Sequence, residues 1–370
     1  MAKKKKKKGT SLYKNVITTL SVCSVLVLWT SAASAYINPA HFRFLSIFGL
    51  AFPILLAATI LMFLICLLTA WRRSWIPFLG IAACFFSIRA YFPINLPSPA
   101  PKKSYKIITY NTMGFASFKD GPESEESKAL LNYVIDNNPD FFCFQEGGTN
   151  PPSYLEDGVF KKTKKIMPYH DTQTIGASLI GCCSKYPIIK KELLCENDMN
   201  GATAFYIQLG EKDTLRLVNC HLKSMGLTHD ERERYHEIVK HPEDNSNKVE
   251  EHSRLLISKI SKATVIRAAQ ADSVAAFIER NKGKNIIVCG DFNDTPISYT
   301  RQRIYDTGLT DVFSTTGNGL GRSFNKDGII VRIDHMFCSK HWKPYGFHVD
   351  KSILSSDHYP LVGFLERVKS

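Results

Sequence analysis

Gly290-Asp291-Phe292-Asn293-Asp294-Thr295-Pro296 follows the apolar run Ile286 to Cys289, which places two polar side chains at the end of a strand. Asp291 and Asn293 lie two residues apart, so in extended backbone both project to one side while Phe292 points into the packing. A carboxylate beside an amide can grip one water or one phosphate oxygen. The same residues also suit a plain turn that caps a strand. Other strand ends in the chain decide between the two readings.

Tyr105 to Asn111 alternates into a strand that ends in Asn111, and Ser124 to Asn137 has an acidic first turn with apolar residues at helical spacing. A second strand from Pro139 finishes in Gln145-Glu146-Gly147-Gly148, a carboxylate at a rim with room beside it. Ala177 to Cys183 and Ile188 to Leu194 flank Ser184-Lys185-Tyr186-Pro187 and read as a hairpin. Ala202 to Leu209 and Leu215 to Leu222 continue the strands, the latter with Asn219 and His221 on one face. Thr228 to Asn281 reads as two helices interrupted around Pro242 to Asn247. Arg332-Ile333-Asp334-His335 and Ser355-Ser356-Asp357-His358-Tyr359-Pro360 complete the set. Taken singly, Glu146 is a helix cap, His221 a core histidine, Asp334 a partner of Arg332, and Asp357-His358 a turn. So many polar strand ends in one domain point to a shared site.

The net charge of +13 belongs to the N-terminus. Of 47 basic residues, eleven fall in the first hundred, which hold no Asp or Glu; the rest of the chain has 36 basic against 34 acidic residues. A domain so near neutrality gives no electrostatic footprint for nucleic acid, which is normally a basic face or stripe. After the Lys3 to Lys8 run, three apolar segments follow: Val16 to Tyr36, Leu45 to Ala70 and Trp75 to Ile94. A bilayer core takes about 20 apolar residues to cross, so two to three transmembrane helices are expected, with Pro53 kinking the second and Arg89 near the end of the third. The lysine run and Arg72-Arg73 belong on the cytoplasmic side, which leaves everything after Phe92 extracytoplasmic. Ala33-Ser34-Ala35 also has the form of a signal-peptidase site, and a cleaved first segment would leave the later domain on the same face. The expected organisation is a basic tail with transmembrane helices over 1–94, a proline-rich linker over 95–103, and one large folded domain over 104–370.

Seven of the ten cysteines lie in that domain, several inside apolar runs, and read as buried free thiols, although an extracytoplasmic compartment favours pairing. Cys182 and Cys183 are neighbours that face opposite sides of a strand. No Cys-x-x-Cys pair is present, which argues against a zinc clip.

Taken in order, Asn111, Gln145-Glu146, Asn219-Cys220-His221-Leu222, Gly290-Asp291-Phe292-Asn293, Arg332-Ile333-Asp334-His335 and Ser356-Asp357-His358-Tyr359-Pro360 resemble the endonuclease/exonuclease/phosphatase superfamily, over roughly Tyr105 to Phe364. The resemblance implies a four-layer α/β sandwich, two central mixed β-sheets flanked by helices, and metal-dependent cleavage of a phosphate ester. On that reading Mg²⁺, or Mn²⁺ in its place, is held by Glu146 with Asn111 and Asp357. Asp291 orients or deprotonates the attacking water and Asn293 holds a phosphate oxygen. Asp334 fixes the ring of His358 and favours its protonated form, His221 supplies a second imidazole, and Asn219 belongs to the substrate-binding set. The attack is direct, without a phosphoenzyme.

Two departures narrow the resemblance. Abasic-site nucleases usually carry tyrosine at the His221 position, so the chain is more similar to the deoxyribonuclease, sphingomyelinase and 5-phosphatase branches. Met113 stands where those nucleases have an acidic residue, which leaves the number of metals, one or two, open. The expected partners are a phosphate-ester substrate (a lipid head group, a nucleotide or a nucleic acid) and the bilayer itself, with no obligate protein partner. The alternatives are a nuclease acting on extracytoplasmic DNA or RNA and a non-catalytic binding module built on the same fold.

Overall fold

A computed structural model describes residues 2–116, 124–148, 154–226, 246–326 and 330–368. Twelve strands in the described residues form two six-stranded mixed sheets. The first sheet comprises β1 (Tyr105–Asn111), β2 (Phe141–Gln145), β3 (Tyr169–Ile175), β4 (Ser178–Ser184), β11 (Trp342–Val349) and β12 (Leu361–Arg367), in the order β11-β12-β1-β2-β4-β3. The second comprises β5 (Ile188–Asn197), β6 (Asn200–Gly210), β7 (Asp213–His221), β8 (Asn285–Asp291), β9 (Thr310–Asp311) and β10 (Asp334–Cys338), in the order β5-β6-β7-β8-β10-β9. The central pairs β1–β2 and β7–β8 are parallel, and the other pairings are antiparallel.

Alternation along the strands builds the layers. Ile107, Phe141, Cys143 and Cys182 of the first sheet meet Phe205, Leu215, Leu217, Ile287 and Cys289 of the second in a core between the sheets. The opposite face of the first sheet (Ile108, Phe142, Phe144, Cys183) packs on Leu130, Leu131 and Val134 of the Glu125–Asn137 helix. The outer face of the second (Ala204, Val218, Val288, Phe337) packs on Val274, Phe277 and Ile278 of the Ser246–Arg280 helix. Each wholly buried phenylalanine contributes about 1.5–3 kcal/mol relative to exposure. The result is the expected four-layer sandwich. Cys182 and Cys183 do face opposite layers, and all ten cysteines are free.

Ser124 caps the Glu125–Asn137 helix by accepting from the amide of Ser127, and Asn138 ends it in the left-handed conformation (φ 43°). The Ser184–Pro187 segment is not a hairpin turn. β4 belongs to the first sheet and β5 to the second, so the chain crosses between layers there, and β4 pairs with β2 and β3 instead. Alternation specifies a strand's buried face but not its neighbour. From Ser246 the chain is one continuous helix to Arg280; residues 228–245, where the first helix and much of the interruption were expected, lie outside the described residues.

The N-terminal helices pack together on one flank. Two, Leu12–Tyr36 and Phe52–Thr69, are long and apolar enough to cross a membrane, and a third apolar stretch, Trp71–Ala83 with Phe85–Tyr91, is bent by 58° at its break. The expected second segment is a short helix, Leu45–Leu50, followed after Ala51 by Phe52–Thr69, with Pro53 in the first turn, where it needs no hydrogen-bond partner.

Candidate active site

The ends of the central strands converge. In register, Asn111 of β1 lies opposite Gln145 of β2, and Asp291 of β8 lies opposite both His221 of β7 and Asp334 of β10. Parallel neighbours end on the same edge, so residues 70 positions apart in sequence become adjacent.

Three sharp backbone turns aim the side chains. Glu146, immediately after β2, has φ 50°, Asn293 has φ 52° and Met113 has φ 46°. Left-handed backbone at such residues costs about 1–3 kcal/mol each and collects at functional sites. Gly290 has φ 131°, and a Cβ there would lie 2.1 Å from the Cys220 carbonyl oxygen, so β7 and β8 approach this closely only because the position is glycine. Asp291 and Asn293 do meet, but through a turn rather than along a strand. The Asn293 backbone N–H donates to Asp291 Oδ1 at 2.8 Å, and its side-chain amide donates to Asp291 Oδ2 and to the Leu222 carbonyl, each at 3.0 Å. Both amide hydrogens of Asn293 are thereby committed, so it orients Asp291 in this geometry. Phe292 is wholly buried beside Phe337, as expected.

Around Asp291 the polar groups lie within 4.0 Å of their neighbours. Asn111 Nδ2 donates to Glu146 Oε1 at 3.0 Å and to Asp291 Oδ2 at 3.1 Å. His221 Nε2 is 3.4 Å from Glu146 Oε1 and 4.0 Å from Asp291 Oδ2. His358 Nε2 is 3.6 Å from Asp291 Oδ2, and its Nδ1 is 2.9 Å from Asp334 Oδ2. Asp334 therefore serves His358 and not Arg332, whose guanidinium donates to the Leu320 and Ala90 carbonyls and stacks on Phe313.

The electrostatics separate these groups. Burial pushes the His358 ring down, but Asp334 and Asp291 outweigh it and raise its pKa to about 10, so it is a cation at neutral pH. Burial pushes the Asp291 carboxyl up; His358 opposes this and Asp334 adds to it, leaving it raised to about 6. Burial also acts on Glu146, yet His221 and Asn111 hold its carboxyl down at about 2. His221 loses stability for its charged form by burial and regains more from Glu146, so it is raised as well. His335 is the contrast. Burial and Arg332 lower it to about 4, and the neutral ring donates Nε2–H to the Asp294 carbonyl at 2.9 Å. It belongs to the core.

The remaining expected residues fall differently. Asn219 is fully buried between the sheets: its amide donates to the Phe144 and Gly181 carbonyls at 2.9 Å each, and its Oδ1 accepts from Gln145 at 2.7 Å. A group so enclosed joins the two sheets beneath the site and does not reach a substrate, because an apolar interior keeps a buried amide only when its hydrogen bonds are satisfied. Asp357 faces Lys326, 3.4 Å away, and Lys326 Nζ is also 3.8 Å from Met113 Sδ. Sequence reading passed over Lys326, and also Asn200, whose amide nitrogen is 3.3 Å from His221 Nε2. It likewise missed Ser323 Oγ, which accepts from the amides of Ile333 and Asp334, and it gave no role to Ser356, quoted only within its motif, whose Oγ–H donates to the Asn111 carbonyl at 2.7 Å. Hydroxyls and amides of this kind are too common along a chain to signal a site by spacing.

For a hard divalent cation, the donor set fits at Glu146. It is ionised and about one third exposed, while the side chains of Asp291, His221 and His358 are nearly enclosed. Asn111 Oδ1 lies on the same edge. Asp291, Asp334 and His358 also present ligand atoms within 4.8 Å of one another. Of the three, Asp334 and His358 are hydrogen-bonded to each other at 2.9 Å, and the other ring nitrogen of His358 lies 3.6 Å from Asp291 Oδ2, so together they form a buried acid–histidine cluster.

A double-sheet sandwich with such a polar edge is the architecture of a hydrolase acting on phosphoric esters. The chain belongs to the Endonuclease/Exonuclease/phosphatase family, whose model matches residues 108–358. Residues 14–91 match a second family, described as a domain of unknown function. Among solved structures, the human Nocturnin catalytic domain with bound sulfate anion shares the fold at TM-score 0.50 and 14% identity, covering 73% of this chain and 97% of that one. Humanized D. rerio TDP2 aligns at TM-score 0.49 and 16% identity, covering 72% and 100%. Sphingomyelinase C from Streptomyces griseocarneus aligns at 0.47 and 15%, covering 72% and 99%. No curated protein sequence matches the chain.

Proposed function

We propose that the chain is a membrane-anchored, Mg²⁺-dependent phosphoesterase that hydrolyses a phosphodiester or phosphomonoester by direct attack of water. The observation that carries this reading is the meeting of Asn111, Glu146, His221, Asp291, Asp334 and His358, from six strand ends and loops, each with a polar atom within 3.6 Å of a neighbour's at one edge. Bound at Glu146 and Asn111, with Asp357 as a further carboxylate near the same rim, a divalent cation would polarise the phosphoryl oxygen. Asp291, with its raised pKa, orients and deprotonates the water, since a base titrating near the working pH transfers protons efficiently. Asn293 and Asn111 hold the carboxylate in place. The cationic ring of His358 binds the scissile phosphate and offsets charge that develops on it, and Asp334 keeps that ring charged and oriented. His221 serves the leaving oxygen, and Lys326 offers a rim cation for the rest of the substrate.

The two apolar helices and the flanking lysines support an anchored enzyme with its site on the extracytoplasmic face. The near-neutral catalytic domain favours a lipid head group or a nucleotide over a polymer that needs a basic groove. The test uses the full chain in lipid nanodiscs with Asp291→Asn as control. It measures Mg²⁺-dependent product release from bis-p-nitrophenyl phosphate, sphingomyelin, phosphatidylinositol phosphates, a phosphomonoester and plasmid DNA. Hydrolysis that EDTA and Asp291→Asn both abolish supports the reading. Hydrolysis of DNA alone, weakening steeply with salt, would replace it with a nuclease. Silence without Mg²⁺ binding would leave a binding module.

A further inference from the structure

Two of the segments that carry site residues are fastened to the N-terminal helices. The first runs from Asp291 to Ile297. Ile297 is 3% exposed and packs among Leu28, Ala35, Phe52, Ala90 and Tyr91. Gly49 lies against it so closely that a Cβ there would be 2.3 Å from the Ile297 carbonyl oxygen. The second is Arg332 to Asp334. Arg332 is buried and donates Nη2–H to the carbonyl of Ala90 at 2.5 Å, in the last turn of the Phe85–Tyr91 helix, where the exposed carbonyls favour a cation.

These segments are also joined to each other. The Phe292 amide donates to the Ile333 carbonyl at 2.9 Å, and His335 donates to the Asp294 carbonyl. Asp291 and Asp334 therefore sit on one cross-bonded unit whose far side rests on the helices. Asn38 to Tyr299 (3.2 Å) and Asn95 to the Gly317 carbonyl (2.6 Å) extend the same seam. A tether would need none of these contacts. Ile297 lies six positions from Asp291 and Arg332 two positions from Asp334, so a displacement at the seam reaches the site through short, hydrogen-bonded backbone.

Resting on the phosphoesterase reading, we propose that the N-terminal helices are a positioning element of the active site, acting through Ile297 and Arg332, and that neither residue touches the substrate. The disposition of these helices then sets the geometry of Asp291 and Asp334, which couples turnover to the state of the anchor.

The test compares the full wild-type chain in phosphatidylcholine nanodiscs with Gly49→Leu, Arg332→Gln and Arg332→Lys. It measures kcat and KM on bis-p-nitrophenyl phosphate and amide exchange over 286–299, 330–338 and 105–111. Gly49→Leu and Arg332→Gln are expected to lower kcat by about tenfold or more, because small misplacements cost that much in a positioned site. KM should stay within about twofold, as for residues outside ground-state binding. Exchange should quicken at 291–297 and 332–335 while 105–111 keeps its protection. Arg332→Lys, which retains one donor for the Ala90 carbonyl, should recover part of the rate. Wild-type kcat and wild-type exchange in both Gly49→Leu and Arg332→Gln would overturn the inference. Should Arg332→Gln lose protection throughout, Gly49→Leu decides, since its substitution lies outside the catalytic domain. A wild-type chain with no hydrolytic activity would count against the phosphoesterase reading, and the exchange comparison would then decide this one by itself.

Discussion

Replacing Gly290 with alanine tests how closely the site depends on the approach of β7 and β8. The added Cβ would meet the Cys220 carbonyl oxygen at 2.1 Å and its amide nitrogen at 2.8 Å, and both belong to backbone that cannot rotate away. Ordinary contact begins at about 3.4 Å, so the strands must part by more than an ångström. Forcing that separation costs about 1–3 kcal/mol. Holding alanine at φ 131° adds about 1–3 kcal/mol more. For a domain of this size each kcal/mol lowers Tm by about 2–4 °C, so a fall of about 5–20 °C is expected by calorimetry. The catalytic effect is separable. Gly290 pairs with Cys220, one residue before the His221–Asp291 pair, so the same displacement moves two proposed catalytic groups apart. A shift of about 1 Å in a positioned site costs on the order of 100-fold, so kcat at 15 °C, well below the lowered Tm, should drop by about that factor with KM little changed. A Gly290→Ala protein with wild-type Tm and wild-type kcat would refute both the close approach and its role.

Three further outcomes follow from the same geometry. Asp334→Asn removes the anion that raises His358, so the alkaline limb of the kcat/KM profile, expected near pH 10 in the wild type, should move toward neutrality; an unmoved limb would mean that ring charge does not govern the rate. The acid limb reports Asp291: its pKa is raised to about 6, it acts as base only when deprotonated, and activity should therefore fall as pH drops through 6, with a limb near 4 counting against the assignment. Phe144→Ala empties a fully buried position among Phe115, Phe142 and Phe160 and should cost about 3–5 kcal/mol in denaturant unfolding, whereas a loss under 1 kcal/mol would show that the layer under the first sheet closes over the gap.

Much of this protein is local in origin and was legible in the chain. Strand alternation, a capped helix at Ser124, the apolar segments and the polar residues that end each strand all depend on neighbours within a few positions. The order of those strand ends carried the family resemblance and with it the sandwich. Cys182 and Cys183 show the same logic on the scale of two residues: a pleated strand sends them to opposite layers whatever surrounds it.

Contacts between distant segments were not legible. Asn219 and His221 share a strand face, yet one stitches the two sheets together and the other faces Glu146, because depth beneath the rim and not periodicity separates them. The Ser184–Pro187 segment looks like a hairpin and is a crossover between sheets, since hydrogen-bond partners are chosen by the assembled sheet. Arg332 stands two residues from Asp334 but reaches Ala90, 242 positions away. The sequence by itself determined which residues could be polar at a strand's end. Tertiary structure decided which became a charged ring, a carboxyl with a raised pKa or a buried scaffold, because burial and the charges within about 4 Å set a group's protonation, and neither is a property of spacing along the chain.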